Sequence, residues 1–257
     1  MPYQIGLKLW STNTGAYRDE AWRLHDEGVY DYIELYVVPD SLSTLSLWKE
    51  LGPIPFVIHN PHSLHGFNLA RVEHKARNLS IYEQSKRFAD ELNAPYIIFH
   101  GGIDGSAEEC ARQLASFHEE RALIENKPFK ALPSYKEGEF CRGATLEELQ
   151  QIIAATQCGF CFDIGHAVCS ANFQGKEPYS FLYELLALNP AMFHLSDIAD
   201  MSTVYDSHLH LGTGQLDIER LKKEVFPENA MISIETNKIS QDSLEDFRKN
   251  GTWLNNV

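Results

Sequence analysis

The chain has 257 residues, 44% hydrophobic and 23% charged, the balance of an ordinary globular protein. Its net charge of −14 argues against broad, nonspecific nucleic-acid binding, which rests on Lys and Arg neutralising phosphates. No apolar run approaches the roughly 20 residues of a membrane span, the N-terminal MPYQIGLKLW lacks a basic stretch followed by an apolar core, and five cysteines without framework spacing fit reduced thiols, so a cytoplasmic location is expected.

In chain order, QIGLKL (residues 4–9) reads as a first strand and DEAWRLHDEG (19–28) as a helix with a Gly stop. DYIEL (31–35) and PFVIH (55–59) follow as strands, and HKARNLSIYEQSKRFADELN (74–93) as a long amphipathic helix. YIIFH (96–100) ends on an imidazole before two glycines, and SAEECARQLASFHEER (106–121) opens with Ser and an acidic turn, good N-cap chemistry. After ALIE (122–125) comes the longest irregular segment, NKPFKALPSYKEGEFCRG (126–143), which carries Lys127, Lys130, Lys136 and Arg142 against Glu137 and Glu139. Loops of this length in a compact domain are usually functional. TLEELQQIIAAT (145–156) starts on a capping box, Thr145 with Glu148. GFCFD (159–163), EPYSFLYELLAL (177–188), MFHL (192–195), DIERLKKEVF (217–226) and MISIE (231–235) complete the alternation. Within CGFC, a strand would send Cys158 and Cys161 to opposite faces, so the pair would not chelate one metal.

Strand and helix in repeated alternation imply parallel pairing with right-handed crossovers. Eight units of about 32 residues predict one (β/α)8 TIM barrel spanning residues 1–257, with its active site at the C-terminal face of the strands. A doubly wound open sheet is the alternative, but no Gly-rich phosphate loop follows the first strand.

The strand ends repeat one chemistry. Glu34, His59, His100, Glu125, Asp163 with His166, His194 and Glu235 stand at or near the ends of seven runs, positions that a barrel brings to one mouth. Taken singly, a strand-end His is ordinarily a hydrogen-bonded structural group and a buried Glu half of an ion pair. Together, so many buried imidazoles and carboxylates are costly unless cations neutralise the acids and coordinate the rings. The donor set suits Zn²⁺ or Mn²⁺ better than Ca²⁺. In YDSHLHLGTGQLD (205–217), Asp206 and His208 would share a face of an extended segment, and His210 would share it too.

These residues resemble the xylose isomerase-like TIM barrels, which include the endonuclease IV (AP endonuclease family 2) enzymes. GFCFDIGHAVC resembles the family's strand with Asp and a His three residues on. FHLSD resembles its His-x-Asn-Asp strand, DSHLHLGTG its Asp-x-His and Gly-x-Gly turn, IENKP its Glu-Asn strand end and ISIET its final Glu-Thr. The resemblance covers essentially the whole chain. It implies up to three Zn²⁺ ions: one on His59, His100 and Glu125, a second on Glu125, Asp163, His194 and Glu235, a third on His166, Asp206 and His208. In IHNPHSLHGFNLA both His59 and His62 could be the first ligand; strand position favours His59 and leaves His62 as a mouth residue. The implied activity is phosphodiester hydrolysis at abasic sites in DNA, with Glu125 and Glu235 catalytic and Lys127 and Arg142 of the basic segment near phosphate.

The departures point elsewhere in the same superfamily. Ile164-Gly165 stands where the repair enzymes usually have Thr-Cys, Ser196 where they have Asn, and His62 where they have an aromatic. YDYIELY resembles the sugar isomerases and epimerases, which use one Mn²⁺ or a metal pair on residues matching Glu125, Asp163, His194 and Glu235. That alternative implies a small sugar or sugar phosphate, with Glu34 and His166 on its hydroxyls. The five further donors, His59, His100, His166, Asp206 and His208, favour the hydrolase. No ligand position is vacant, which argues against a binding protein that has lost turnover.

Overall fold

A computed structural model describes residues 3–13, 15–135 and 137–256. Strands β1 (Gln4–Trp10), β2 (Tyr32–Tyr36), β3 (Phe56–His59), β4 (Ile97–His100), β5 (Ala122–Glu125), β6 (Gly159–Asp163), β7 (Met192–Leu195) and β8 (Met231–Ile234) pair in sequence order. Every pairing is parallel, and β8 closes on β1. The eight predicted runs therefore form the closed TIM barrel, and the open-sheet alternative falls.

Period-two alternation sorts the strand residues. Ile33, Ile58, Phe99, Ile124, Phe162 and Phe193 face outward into one large core shared with the helices. Tyr32, Val57, Ile98, Leu123, Cys161 and Met192 form a separate cluster inside the barrel. Gly6 makes room for the largest of these, since a Cβ there would lie 2.4 Å from the Tyr32 ring. Two residues farther along the same eight strands, about 7 Å nearer the C-terminal face, the inward positions become Lys8, Glu34, His59, His100, Glu125, Asp163, His194 and Glu235. An apolar floor thus sits directly beneath a polar mouth.

The helices are α1 (Gly15–Asp26), α2 (Leu45–Lys49), α3 (Lys75–Glu91), α4 (Ala107–Ser116), α5 (Leu146–Thr156), α6 (Ile164–Gln174), α7 (Pro178–Leu186), α8 (Ile218–Glu224) and α9 (Glu245–Asn256). The expected caps form: Ser106 Oγ accepts from Glu109 N at 3.2 Å, and Thr145 Oγ1 from Glu148 N at 3.2 Å. Helix α4 stops earlier than its pattern suggests, at Ser116, because His118 turns into the left-handed region at φ 49°. Helices α2, α6 and α9 have no counterpart among the predicted helices; α6 is the most deeply buried of the three. Its residues from Ile164 to Ala171 are all buried, so it shows no amphipathic stripe to read. Cys158 joins the helical core and Cys161 the barrel interior, so the CxxC pair diverges as expected. No helix among the described residues is long and apolar enough to cross a membrane.

Candidate metal centre

Each strand end delivers its side chain through a specific local device. Asp163 ends β6 and caps α6: its Oδ1 accepts from His166 N at 2.7 Å, which sets the imidazole one turn on, over the mouth. Asn126 pins this corner, accepting from Asp163 N and donating to Asp163 O, both at 2.8 Å. Asp197 organises the next loop. Its two oxygens accept from the backbone N–H of Ile198, Gly212, Gly214 and Leu216 at 2.9–3.0 Å. Gly214 is obligatory there, since a Cβ would come within 2.1 Å of the Ile198 carbonyl oxygen. This folded loop presents Asp206 and His208, with His208 Nε2 2.7 Å from Asp206 Oδ2.

Ten side chains form four overlapping groups whose ligand atoms lie within 4.8 Å of one another: Glu34, His59, His194 and Glu235; His59, His100 and Glu125; His166, Asp206 and His208; and Glu125, Asp163 and His166. His59 Nε2 and His100 Nε2 approach Glu125 Oε2 at 3.1 and 2.9 Å. His166 Nδ1 lies 3.0 Å from Glu125 Oε1, and His166 Nε2 lies 3.4 Å from Asp206 Oδ2. His194 Nδ1 lies 3.1 Å from Glu235 Oε1, 3.5 Å from Glu125 Oε2 and 4.0 Å from Asp163 Oδ2.

Two features fit these residues to a metal. First, four imidazoles spend one nitrogen on an outer partner and keep the other for the cluster. His59 Nδ1 donates to Asn60 O at 2.8 Å, His166 Nδ1 to Asn126 O at 3.0 Å, His208 Nδ1 to Glu235 O at 2.9 Å, and His194 Nε2 to Glu34 Oε2 at 2.9 Å. Metal-ligating histidines are held in this way. Second, His194 Nδ1 and Asp206 Oδ2 are buried and make no hydrogen bond, despite the close neighbours just described. Donor atoms that crowd together without hydrogen-bonding geometry want a cation between them. The field agrees. Burial alone lowers the pKa of His166, but the carboxylates of Asp163, Asp206 and Glu125 beside it overturn this and carry the imidazole up to about 10. His194 is raised well above its ordinary value in the same way, with Cys161, Glu235 and Glu34 opposing the burial. The carboxylates that hold these protons would equally attract a cation, which would have to displace the protons to bind.

The remaining expected residues divide. His62 stacks on the His100 ring, with centroids 5.3 Å apart at 9°, and its Nδ1 accepts from Leu64 N; His59, not His62, reaches Glu125. Lys127 enters the donor cluster itself, 3.3 Å from Glu125 Oε1. Glu34 does not face the cavity. It is fully buried and paired to Lys8 and to His194, and it stands with His59, His194 and Glu235 in one of the potential metal-holding groups. Burial would raise its pKa, but His194 and Lys8 hold it at about 2. Arg142 points away, toward Glu148 Oε1 at 2.7 Å and Asp104 O at 3.0 Å. His210 also leaves the site and accepts from Asn250 Nδ2 at 2.9 Å. The cause is His208, whose φ of 46° breaks the alternation that would have kept the two on one face. Lys136 lies outside the described residues.

Lys8 escaped the sequence reading. It sits inward on β1, bridging Glu34 and Glu235. The signal was an ammonium at an inward position of a strand read only as an apolar run. Above the donors lies a cavity of about 420 Å³, walled by Trp10, Tyr36 and His62 and, from the 126–143 segment, by Lys130, Leu132 and Tyr135.

A sequence model of the xylose isomerase-like TIM barrel matches residues 25–257. The chain belongs to that family. Among curated relatives, the protein named "Probable endonuclease 4" of Mycobacterium ulcerans is 25% identical over 191 residues, covering 71% of this chain and 73% of that one. Among solved structures, a D-tagatose 3-epimerase-like protein superposes with a TM-score of 0.70 at 20% identity, covering 98% of this chain and 96% of that one. Endonuclease IV from Thermus thermophilus superposes with a TM-score of 0.68 at 20% identity, covering 99% and 100%. Both structures share the family's barrel.

Proposed function

We propose that this family member is a metal-dependent hydrolase of phosphoester bonds that works with more than one divalent ion. One observation supports the reading: the mouth gathers overlapping groups of potential donors, among them the separate His166, Asp206 and His208 group. A sugar isomerase, as its resemblance implies, needs only Glu125, Asp163, His194 and Glu235.

Bound Zn²⁺ or Mn²⁺ would supply positive charge against the phosphate and the leaving oxygen and would acidify water. The protein's part is positional. Glu125 faces His59 and His100 with one oxygen and His166 with the other, so it ties the donor groups together. Glu235 lies on the cavity floor and stays ionised: burial favours its neutral form, but His194 and Lys8 outweigh it and hold its carboxyl well below the usual range. An ionised carboxylate at that point accepts a hydrogen bond from an attacking water and aims it. The cavity's about 420 Å³ is within the range of small-ligand pockets and admits a phosphate with its sugar.

An abasic site in DNA is the substrate that the endonuclease IV resemblance suggests. The second reading, isomerisation or epimerisation of a sugar or sugar phosphate, is favoured by the wall that Lys130, Leu132 and Tyr135 raise beside the mouth. The test is to load the protein with Zn²⁺ or Mn²⁺ and incubate it with an abasic-site duplex and with a panel of ketoses and their phosphates. Incision of the duplex is expected. Conversion of a ketose with no incision at high enzyme would move the assignment to the second reading.

A further inference from the structure

Lys127 has no task in the hydrolysis just described, yet its ammonium is placed as a ligand-bound ion would be. Its Nζ lies 3.3 Å from Glu125 Oε1, 3.5 Å from His100 Nε2 and 3.2 Å from His166 Nε2. Those atoms span two donor groups, the one with His59 and His100 and the one with His166 and Asp206. An ion in either group must share donors with the ammonium or expel it. The backbone beneath it is fixed. Lys127 N donates to Gly143 O at 3.0 Å, and the preceding residue, Asn126, is pinned to Asp163 on both sides of its amide. Lys8 does not play this part, being committed to Glu34 and Glu235.

Charge balance points the same way. Five carboxylates, Glu34, Glu125, Asp163, Asp206 and Glu235, meet two ammoniums, Lys8 and Lys127. Two dications leave the mouth one positive charge in excess, which a single bound anion offsets. Three dications leave an excess of three in a poorly solvated site, where uncompensated charge is costly.

We propose that the Lys127 ammonium is a resident cation of this centre, taking the place of one of the three ions its donors could hold, so that each chain binds two divalent ions. The proposal rests on the multi-ion reading above. It is tested on the full chain, stripped with a chelator, checked for fold by circular dichroism, and titrated calorimetrically with Zn²⁺, with bound metal measured by mass spectrometry after desalting. Wild type is expected to take two ions, Lys127→Met three, and Lys127→Arg two, because Arg restores the charge. Lys127→Ala serves if the Met variant misfolds, and adding His166→Gln to either is expected to return the count to two. Three ions in wild type, or no gain in either uncharged variant, would overturn the proposal while leaving the multi-ion reading intact. One ion or none in wild type would remove that reading and this proposal with it.

Discussion

The barrel carries two layers on the same strands, and they obey opposite rules. In the floor, Val57, Ile98, Leu123 and Met192 are apolar and fill space. Two residues on, His59, His100, Glu125 and His194 are buried but polar, with two atoms of the wider cluster left without hydrogen bonds. The floor is built for packing density and the mouth for ligand field. The same β-strand period puts them on one axis, two residues apart.

The largest expected effect separates the layers at a single strand. Glu125→Gln removes the carboxylate that joins the donor groups. It should lower turnover of a phosphoester substrate by about a thousandfold or more and strip bound metal, while the melting temperature of the metal-free protein holds or rises. Metal analysis and calorimetry read both. Leu123→Ala, two residues below, should do the reverse. Denaturant titration should show a loss of about 2–5 kcal/mol with metal content unchanged; equal loss of metal would mean that the layers are not independent.

Glu34→Gln sharpens the boundary between them, since Glu34 sits inside the barrel but acts on His194 at 2.9 Å. Loss of an outer partner of a ligating histidine typically weakens metal binding about 10–100-fold, and a chelator competition should record that drop. Unchanged metal affinity would return Glu34 to a purely structural ion pair. The smallest effect is expected at Arg142, whose pair with Glu148 is partly exposed. Arg142→Ala should cost about 1 kcal/mol or less and leave turnover within twofold; a large rise in KM would restore it as a substrate contact.

Much of this plan is visible in the chain because period two is rigid. YIIFH places Ile98 and His100 on one side whatever the rest of the fold does, and ALIE does the same for Leu123 and Glu125. What stays hidden depends on backbone events that residue type does not announce. His210 leaves the site because of one left-handed residue, His208. Arg142 is drawn off by Glu148, whose Oε2 also accepts from Gly143 N at 2.9 Å and Ala144 N at 3.2 Å, capping a helix start with a neighbouring loop. Asp197 looks like one more acid in a donor-rich motif, yet its four backbone partners make it the organiser of the Asp206–His208 loop. Helix α6 hides because burial on every side erases the apolar stripe. Lys8 hides inside a run whose neighbours, Leu7 and Leu9, are both fully packed into the core.

The central claim is that the mouth layer is one multi-ion centre and not a set of separate ion pairs. The most direct measurement is the divalent-metal content of the purified full chain after saturation with Zn²⁺ and desalting, compared with His100→Gln and His166→Gln. More than one ion per wild-type chain is predicted, with a loss in each variant, because the two histidines meet at Glu125 from different donor groups. One ion or none in wild type, or full metal content in both variants, would contradict it.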